Sequence, residues 1–360
     1  MRLHVRLTYI GWACPSDYDK IVFMKKKILM IGTGGTIACK QTAEGLLPAQ
    51  SSEELLSAVP GAGELCDAEF CQLFNLDSTN IGRTHWIAIA KKIQEEYDRY
   101  DGFLITHGTD TMAYTASALS YLIQDADKPI VITGSQRPMG EFVTDAGKNL
   151  QDSLRFVCAG IAGGVYIVFD GKALIGTRAR KVRTKSTAAF ESINYPTFAF
   201  IDGNRIFPYL GKPRRAKSPK FYDALSDRVC LIKLFPGIRP DIFDYAAEHY
   251  DAIVIESYGV GGIPQDAEDS YLAKIERLTS MNRTVVIASQ VMLEGSDADV
   301  YEVGYRSIHN YHALQSYDMT IEAAITKLMW ILAQTDDAEK IHKLFLTPVS
   351  HDISHWVDMS

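Results

Sequence analysis

Lys27-Ile28-Leu29-Met30-Ile31-Gly32-Thr33-Gly34-Gly35-Thr36-Ile37-Ala38 decides how this chain folds. A short apolar run stops abruptly in a loop of glycine and threonine. Such a run reads as a buried strand. The same grammar recurs at Gly102-Phe103-Leu104-Ile105-Thr106, which is followed by His107-Gly108-Thr109-Asp110-Thr111. It recurs again at Pro129-Ile130-Val131-Ile132, followed by Thr133-Gly134-Ser135-Gln136-Arg137-Pro138. In an open α/β sheet the loops at the carboxyl ends of the strands form the ligand crevice. Three hydroxyl-rich loops would then end at one edge of one sheet. A hydroxyl nucleophile needs a base or relay beside it to act at neutral pH. Asp110 and a lysine are at hand.

Working outward, strands are expected at 28–32, 69–74, 102–106, 129–133 and 164–169, and later at 229–234, 251–256 and 284–288. Between them Trp86, Ile89, Ala90, Ile93 and Tyr97 recur at helical spacing, as do Ala116, Leu119 and Ile123. Both stripes read as core-facing helix sides. The alternation gives an α/β class. Leu210 to Pro219 is basic, contains two prolines and lacks periodicity, which marks a linker. We therefore place an N-terminal α/β domain at 24–209, a linker at 210–226 and a smaller C-terminal α/β domain at 227–360. Residues 1–23 are expected to be a disordered extension without a catalytic role, with Met24 resembling a natural start.

Composition narrows the function classes. At 360 residues with 47% hydrophobic and 22% charged side chains, the chain has the balance of a soluble globular protein. Its net charge of −7 is spread along the chain, so no nucleic-acid partner is expected. No apolar run approaches the ~18 residues that suggest a membrane span. The cysteines Cys14, Cys39, Cys66, Cys71, Cys158 and Cys230 form no C-x-x-C pair and fit no zinc spacing. They read as reduced thiols of a cytoplasmic protein.

Each motif has a bland reading beside the chemical one. Gly32 to Ala38 lacks the Gly-Lys-Ser/Thr of a phosphate loop, and Ile37 stands where a dinucleotide loop needs its third glycine. What remains is a pair of glycines that let backbone approach a ligand, with Thr36 able to project its hydroxyl; otherwise the loop is a tight turn. Asp110 and Thr111 sit where a strand gives way to a helix, so either could be an N-cap. Capping does not explain His107-Gly108-Thr109 in front of them. The lysine is open at this level, since Lys181, Lys172 and Lys185 all lie beyond strand 164–169.

The two threonine loops resemble the signature segments of the bacterial-type L-asparaginases, and specifically their type I, cytoplasmic branch. The resemblance continues through Asp77-Ser78-Thr79, Ser135-Gln136-Arg137-Pro138, Lys181, Ser257-Tyr258-Gly259-Val260-Gly261 and Asp318-Met319-Thr320. It implies a two-domain asparaginase-like fold, with a mostly parallel sheet in the larger N-terminal domain. It implies hydrolysis of asparagine to aspartate and ammonia with no metal and no cofactor, in a homodimer or homotetramer. Thr36 would be the nucleophile. Thr109, Asp110 and Lys181 would handle protons and orient water. Asp77, Ser78, Thr79, Gly35, Gly108, Ser135 and Gln136 would hold the substrate. Two departures stand out. Leu46 occupies the place where many relatives carry an activating tyrosine, and Tyr301 is the expected substitute, with a packing tyrosine as its alternative reading. Glu256 and Arg180 do not match the effector site of some type I enzymes. Competing functions are the amide-hydrolysing subunit of a tRNA-dependent amidotransferase, an amino-acid sensor with the same pocket, and a nucleotide-binding enzyme.

Overall fold

The computed structural model describes residues 25–42, 45–48, 52–57, 59, 61–210, 218–264, 271–300 and 302–354. The expected extension 1–23 and Tyr301 lie outside the described residues. An eight-stranded sheet runs in the order Arg205–Pro208, Ala199–Asp202, Lys172–Ile175, Gly164–Phe169, Pro129–Thr133, Gly102–Thr106, Lys26–Gly34 and Cys66–Leu76. The last five in that order are mutually parallel, and the other three join antiparallel. Every residue of Gly102–Thr106 and Pro129–Thr133 is buried, as the unbroken apolar runs require of strands covered on both faces. The three loops of interest therefore leave neighbouring strands at the same end.

A second sheet follows, four parallel strands in the order Val229–Lys233, Ala252–Ser257, Thr284–Ser289 and Leu314–Gln315. Helix Met112–Leu122 lies between the two sheets and packs on helix Ile321–Leu332 of the C-terminal half. Ten of its side chains are buried, so it shows almost no polar face. Tyr121 stacks on Trp330 across that contact, with ring centroids 6.1 Å apart. One apolar cluster runs from Leu29, Phe103 and Ile105 through this helix to Val254, Val286 and Leu328. Among the described residues no helix is long and apolar enough to cross a membrane.

Two stripe residues leave the expected helices. The first helix ends at Glu96, and Tyr97 opens a short 3-10 turn, Tyr97–Arg99. Ile123 exits the second helix at φ −129° and pairs, with Gln124, against Lys220–Phe221. Both side chains stay buried in the core. The stripe recorded burial, and burial continued past the helix ends. Of the stretch read as a linker, 211–217 lie outside the described residues. Beyond them Leu225 is buried, and its carbonyl accepts from Arg83 Nη1 at 3.1 Å.

The halves are also tied by charge. Arg178 is fully buried. Its Nη1 donates to the Asp318 carbonyl at 2.8 Å and lies 3.0 Å from Asp318 Oδ2, while Nε donates to the His351 carbonyl. Within the C-terminal half Lys327 and Asp352 form a second buried pair at 2.7 Å, and Tyr121 of the N-terminal half donates to the same carboxylate. Removing one partner of a buried pair leaves an uncompensated charge, which costs about 3–5 kcal/mol. Asp318→Ala should lower the unfolding free energy by that order in urea titrations. Asp241→Ala, which breaks the exposed Arg239–Asp241 pair, should change it by less than about 1 kcal/mol.

Candidate active site

The crevice is built by three backbones that nearly touch. The pairing of Lys26–Gly34 with Cys66–Leu76 slips between Gly32 and Gly34, which turns the chain out of the sheet. Gly35 then sits at φ +80°, its N–H donating to the Leu76 carbonyl at 2.9 Å. A Cβ at Gly35 would fall 2.2 Å from Gly108 N, and one at Gly108 would fall 2.6 Å from Ser78 Oγ. Only glycine fits either position. Thr36 and Thr109 each follow one of these two glycines.

Most hydroxyls of the three loops are fasteners. Thr33 donates to the Thr106 carbonyl at 2.8 Å, and Thr133 to the Val168 carbonyl at 2.7 Å. Thr111 is the N-cap of Met112–Leu122, yet its hydroxyl makes no cap; it donates to the Ser78 carbonyl at 2.7 Å. Ser135 is fully buried and donates to the Arg137 carbonyl, so its hydroxyl folds its own loop. Asp77 caps the turn Ser78–Asn80 by accepting from the Thr79 N–H and hydroxyl at 2.8 and 2.9 Å. Thr36 differs. It is half-buried at the start of the turn Thr36–Ala38, and its hydroxyl has no partner among the described residues.

The structure separates the three lysines. The short strand Ala179–Lys181 pairs antiparallel with Phe190–Ser192 and brings Lys181 into the crevice. Its Nζ donates to Thr109 Oγ1 at 2.8 Å and to Asp110 Oδ1 at 2.6 Å. Thr109 in turn donates to Gln136 Oε1 at 3.1 Å. Gln136 is fixed by its own backbone N–H, which donates to Asp145 Oδ2 at 2.9 Å. Lys181 is mostly buried, with 17% of its side chain exposed, whereas 61% of Asp110 is open to solvent and to a ligand. Lys185 is exposed and Lys172 lies within the sheet. Arg180 faces elsewhere, with Nε 3.7 Å from Glu322 Oε1, and Glu256 lies 3.7 Å from Lys233 Nζ.

In the sequence His107 is marked only as part of the His-Gly-Thr motif. It is completely buried behind the crevice. Its Nδ1 lies 2.6 Å from the Gly108 carbonyl and its Nε2 2.9 Å from Thr115 Oγ1, which also accepts from Trp86 Nε1 at 2.9 Å. Burial pushes the imidazole pKa down to about 4, against a smaller upward pull from the Gly108 carbonyl. No sequence signal links Trp86 to His107, which lies 21 positions further on with a whole strand between. Among the described residues no cluster of His, Cys, Asp or Glu could hold a metal.

Comparison with known proteins agrees with this architecture along nearly the whole chain. The family model described as asparaginase, N-terminal, matches residues 27–213, and that described as glutaminase/asparaginase C-terminal domain matches 228–345. An L-asparaginase of Thermococcus kodakarensis is 38% identical over 91% of this chain and 99% of its own length. Its thermostable structure superposes with a TM-score of 0.86, covering 92% of this chain and 100% of that one. A glutamyl-tRNA(Gln) amidotransferase subunit of Pyrococcus abyssi is 34% identical over 91% of this chain and 77% of its own. L-asparaginase I from Vibrio cholerae superposes with a TM-score of 0.82 at 27% identity, covering 92% of this chain and 100% of that one.

The buried imidazole has a measurable consequence. Below the ordinary histidine pKa of 6.5 the unfolded chain takes up a proton that folded His107 refuses until about pH 4. The unfolded state binds more protons in that window, so stability falls as pH falls. The loss attributable to this residue reaches about 3 kcal/mol at 1.36 kcal/mol per unit. Urea titrations from pH 7 to 4 should show that much less pH dependence for His107→Leu than for the parent.

Proposed function

The chain belongs to the asparaginase family and is an enzyme, and on that premise we propose that it hydrolyses L-asparagine to L-aspartate and ammonia. The observation that carries this reading is the Lys181 ammonium, held by both Thr109 and Asp110 beside a crevice where the Thr36 hydroxyl has no partner among the described residues. Thr36 Oγ attacks the side-chain amide carbon. The C–N bond breaks, ammonia leaves with the proton that Thr36 gave up, and a threonine ester remains. Water oriented by Thr109, Asp110 and Lys181 then cleaves the ester, releasing aspartate and restoring the hydroxyl. An activated threonine divides one difficult step into two easier ones. The backbone of the two glycine loops bounds the space where the oxyanion develops, and N–H groups there can stabilise it.

Substrate recognition follows from the chemistry of an amino acid. Its ammonium calls for a carboxylate, which exposed Asp110 offers, and its carboxylate calls for hydroxyl or N–H donors. We assign those donors to Ser78, held by the turn that Asp77 and Thr79 close on either side of it, with Gln136 steadying Thr109. Activation of Thr36 is assigned to Tyr301, in place of the tyrosine that Leu46 replaces. The likeness to L-asparaginase I from Vibrio cholerae supports the type I branch; we further assign the chain to the cytoplasm and to a homodimer or homotetramer, on its resemblance to that branch. A second reading, the amide-hydrolysing subunit of a tRNA-dependent amidotransferase, draws on the likeness to the Pyrococcus abyssi protein.

Ammonia release from free asparagine and glutamine by the purified chain separates these readings. The proposal expects turnover of asparagine by the chain alone; no release from asparagine would end it. Thr36→Ala should reduce turnover by at least about 10³-fold in a folded protein. Lys181→Met and Asp110→Asn should each cost heavily, and the double variant should lose little beyond the worse single one, because groups acting as a unit are non-additive. Effects that simply add would remove Lys181 from the relay.

A further inference from the structure

We propose that His107 is a positioning residue: through the Gly108 carbonyl it fixes the rotation of the Gly108–Thr109 peptide, so that the Thr109 N–H faces the reacting amide. The inference rests on the asparaginase reading above and names a residue which that reading does not use.

The hydrogen bonds behind the crevice admit one arrangement. A carbonyl oxygen only accepts, so His107 Nδ1, 2.6 Å from Gly108 O, carries the hydrogen. A neutral imidazole has a single N–H, so Nε2 is an acceptor. Its neighbour at 2.9 Å is Thr115 Oγ1, which must give its only hydrogen to Nε2. The Thr115 oxygen is then left to accept, and Trp86 Nε1–H, a donor and nothing else, points at it from 2.9 Å. Trp86, Thr115 and His107 are all buried, so water does not compete. The tautomer is therefore set from 21 residues upstream.

The consequence passes through peptide geometry. In a planar trans peptide the C=O and the following N–H point in opposite directions. With the Gly108 carbonyl turned to the imidazole, the Thr109 N–H turns away from it. Among the described residues no acceptor takes that N–H. Such a free, fixed donor suits a developing oxyanion. A flipped peptide would place a carbonyl there instead and oppose the charge. The position of the loop is secured separately, by His107 N–H to the Thr133 carbonyl at 2.8 Å and Thr111 to the Ser78 carbonyl. The imidazole therefore controls peptide orientation more than loop placement, and its loss should read out in turnover.

Two pairs of variants test this on the full-length enzyme. His107→Asn keeps a side-chain N–H near the place of Nδ1, while His107→Leu keeps the bulk and loses the donor. Thr115→Ser keeps the hydroxyl, while Thr115→Val keeps the shape. His107→Leu and Thr115→Val should lower kcat for asparagine by about 10- to 100-fold, at or below the loss expected on removing an oxyanion donor, with KM changed less than about 3-fold. His107→Asn and Thr115→Ser should each stay within about 5-fold of the parent kcat. A packing role would reverse the His107 order, because asparagine fills the buried site worse than leucine. Nitrogen-15 spectra of the imidazole, read without substrate, should show the neutral Nδ1–H form at pH 7. An Nε2–H tautomer, unchanged kcat in Thr115→Val and His107→Leu, or a loss confined to KM would overturn the inference while leaving the asparaginase reading intact. A parent enzyme inactive on asparagine would overturn both.

Discussion

Two backbones meet at Gly35 and Gly108 with no side chain between them, and the rest of the crevice depends on that contact. The sheet supplies parallel strands about 4.8 Å apart, so loops leaving neighbouring strands start close together. Ordinary side chains would then wedge them apart. Removing both Cβ atoms lets the two chains close until a methyl group on either would overlap its neighbour. Each of the two glycines is followed directly by a threonine of the crevice, Thr36 and Thr109. The hydroxyl fasteners Thr33, Thr111 and Thr133 only hold a geometry that the glycines allow.

That much was legible in the sequence, because it was written in short-range code. Apolar runs of five residues ending in Gly-Thr or His-Gly-Thr mark both the strand and the loop. Whatever depended on distant partners was not legible. Lys181 stood in a basic stretch with nothing to set it apart from Lys185; the hairpin with Phe190–Ser192 sets it apart. Arg178 belongs to the same stretch and would ordinarily be solvated, yet it is among the most deeply buried side chains of the fold. The link from Trp86 through Thr115 to His107 joins a helix, a second helix and a loop, and no periodicity encodes it. Tyr97 and Ile123 show the converse limit. A burial stripe reports which residues face the core, and it says nothing about where the helical hydrogen bonds stop.

Capping competed with chemistry at several positions, and the geometry divides them. Asp77 and Thr79 form a closed turn, and Ser135 bonds within its own loop. Asp110 instead reaches Lys181 and remains open to solvent. Asp77 and Asp110 both follow a strand, and they differ in whether a backbone N–H or a lysine comes within reach. The distinction is one of register. A residue placed directly ahead of a turn is consumed by it, and one placed a step outside is free for other work.

Arg178 immediately precedes the three-residue strand that carries Lys181, and it is anchored on Asp318, His351 and Ser354. The lysine thus belongs to the N-terminal half by sequence and to the last forty or so residues by attachment. During synthesis Thr36, Thr109, Asp110 and Lys181 all emerge well before the segment that anchors Arg178. A nascent chain, or a fragment cut between the two sheets, holds these four side chains and lacks the partners of Arg178. The ribosome thus delivers the Thr36 hydroxyl long before it delivers the partners that hold Arg178 at the head of the Lys181 strand.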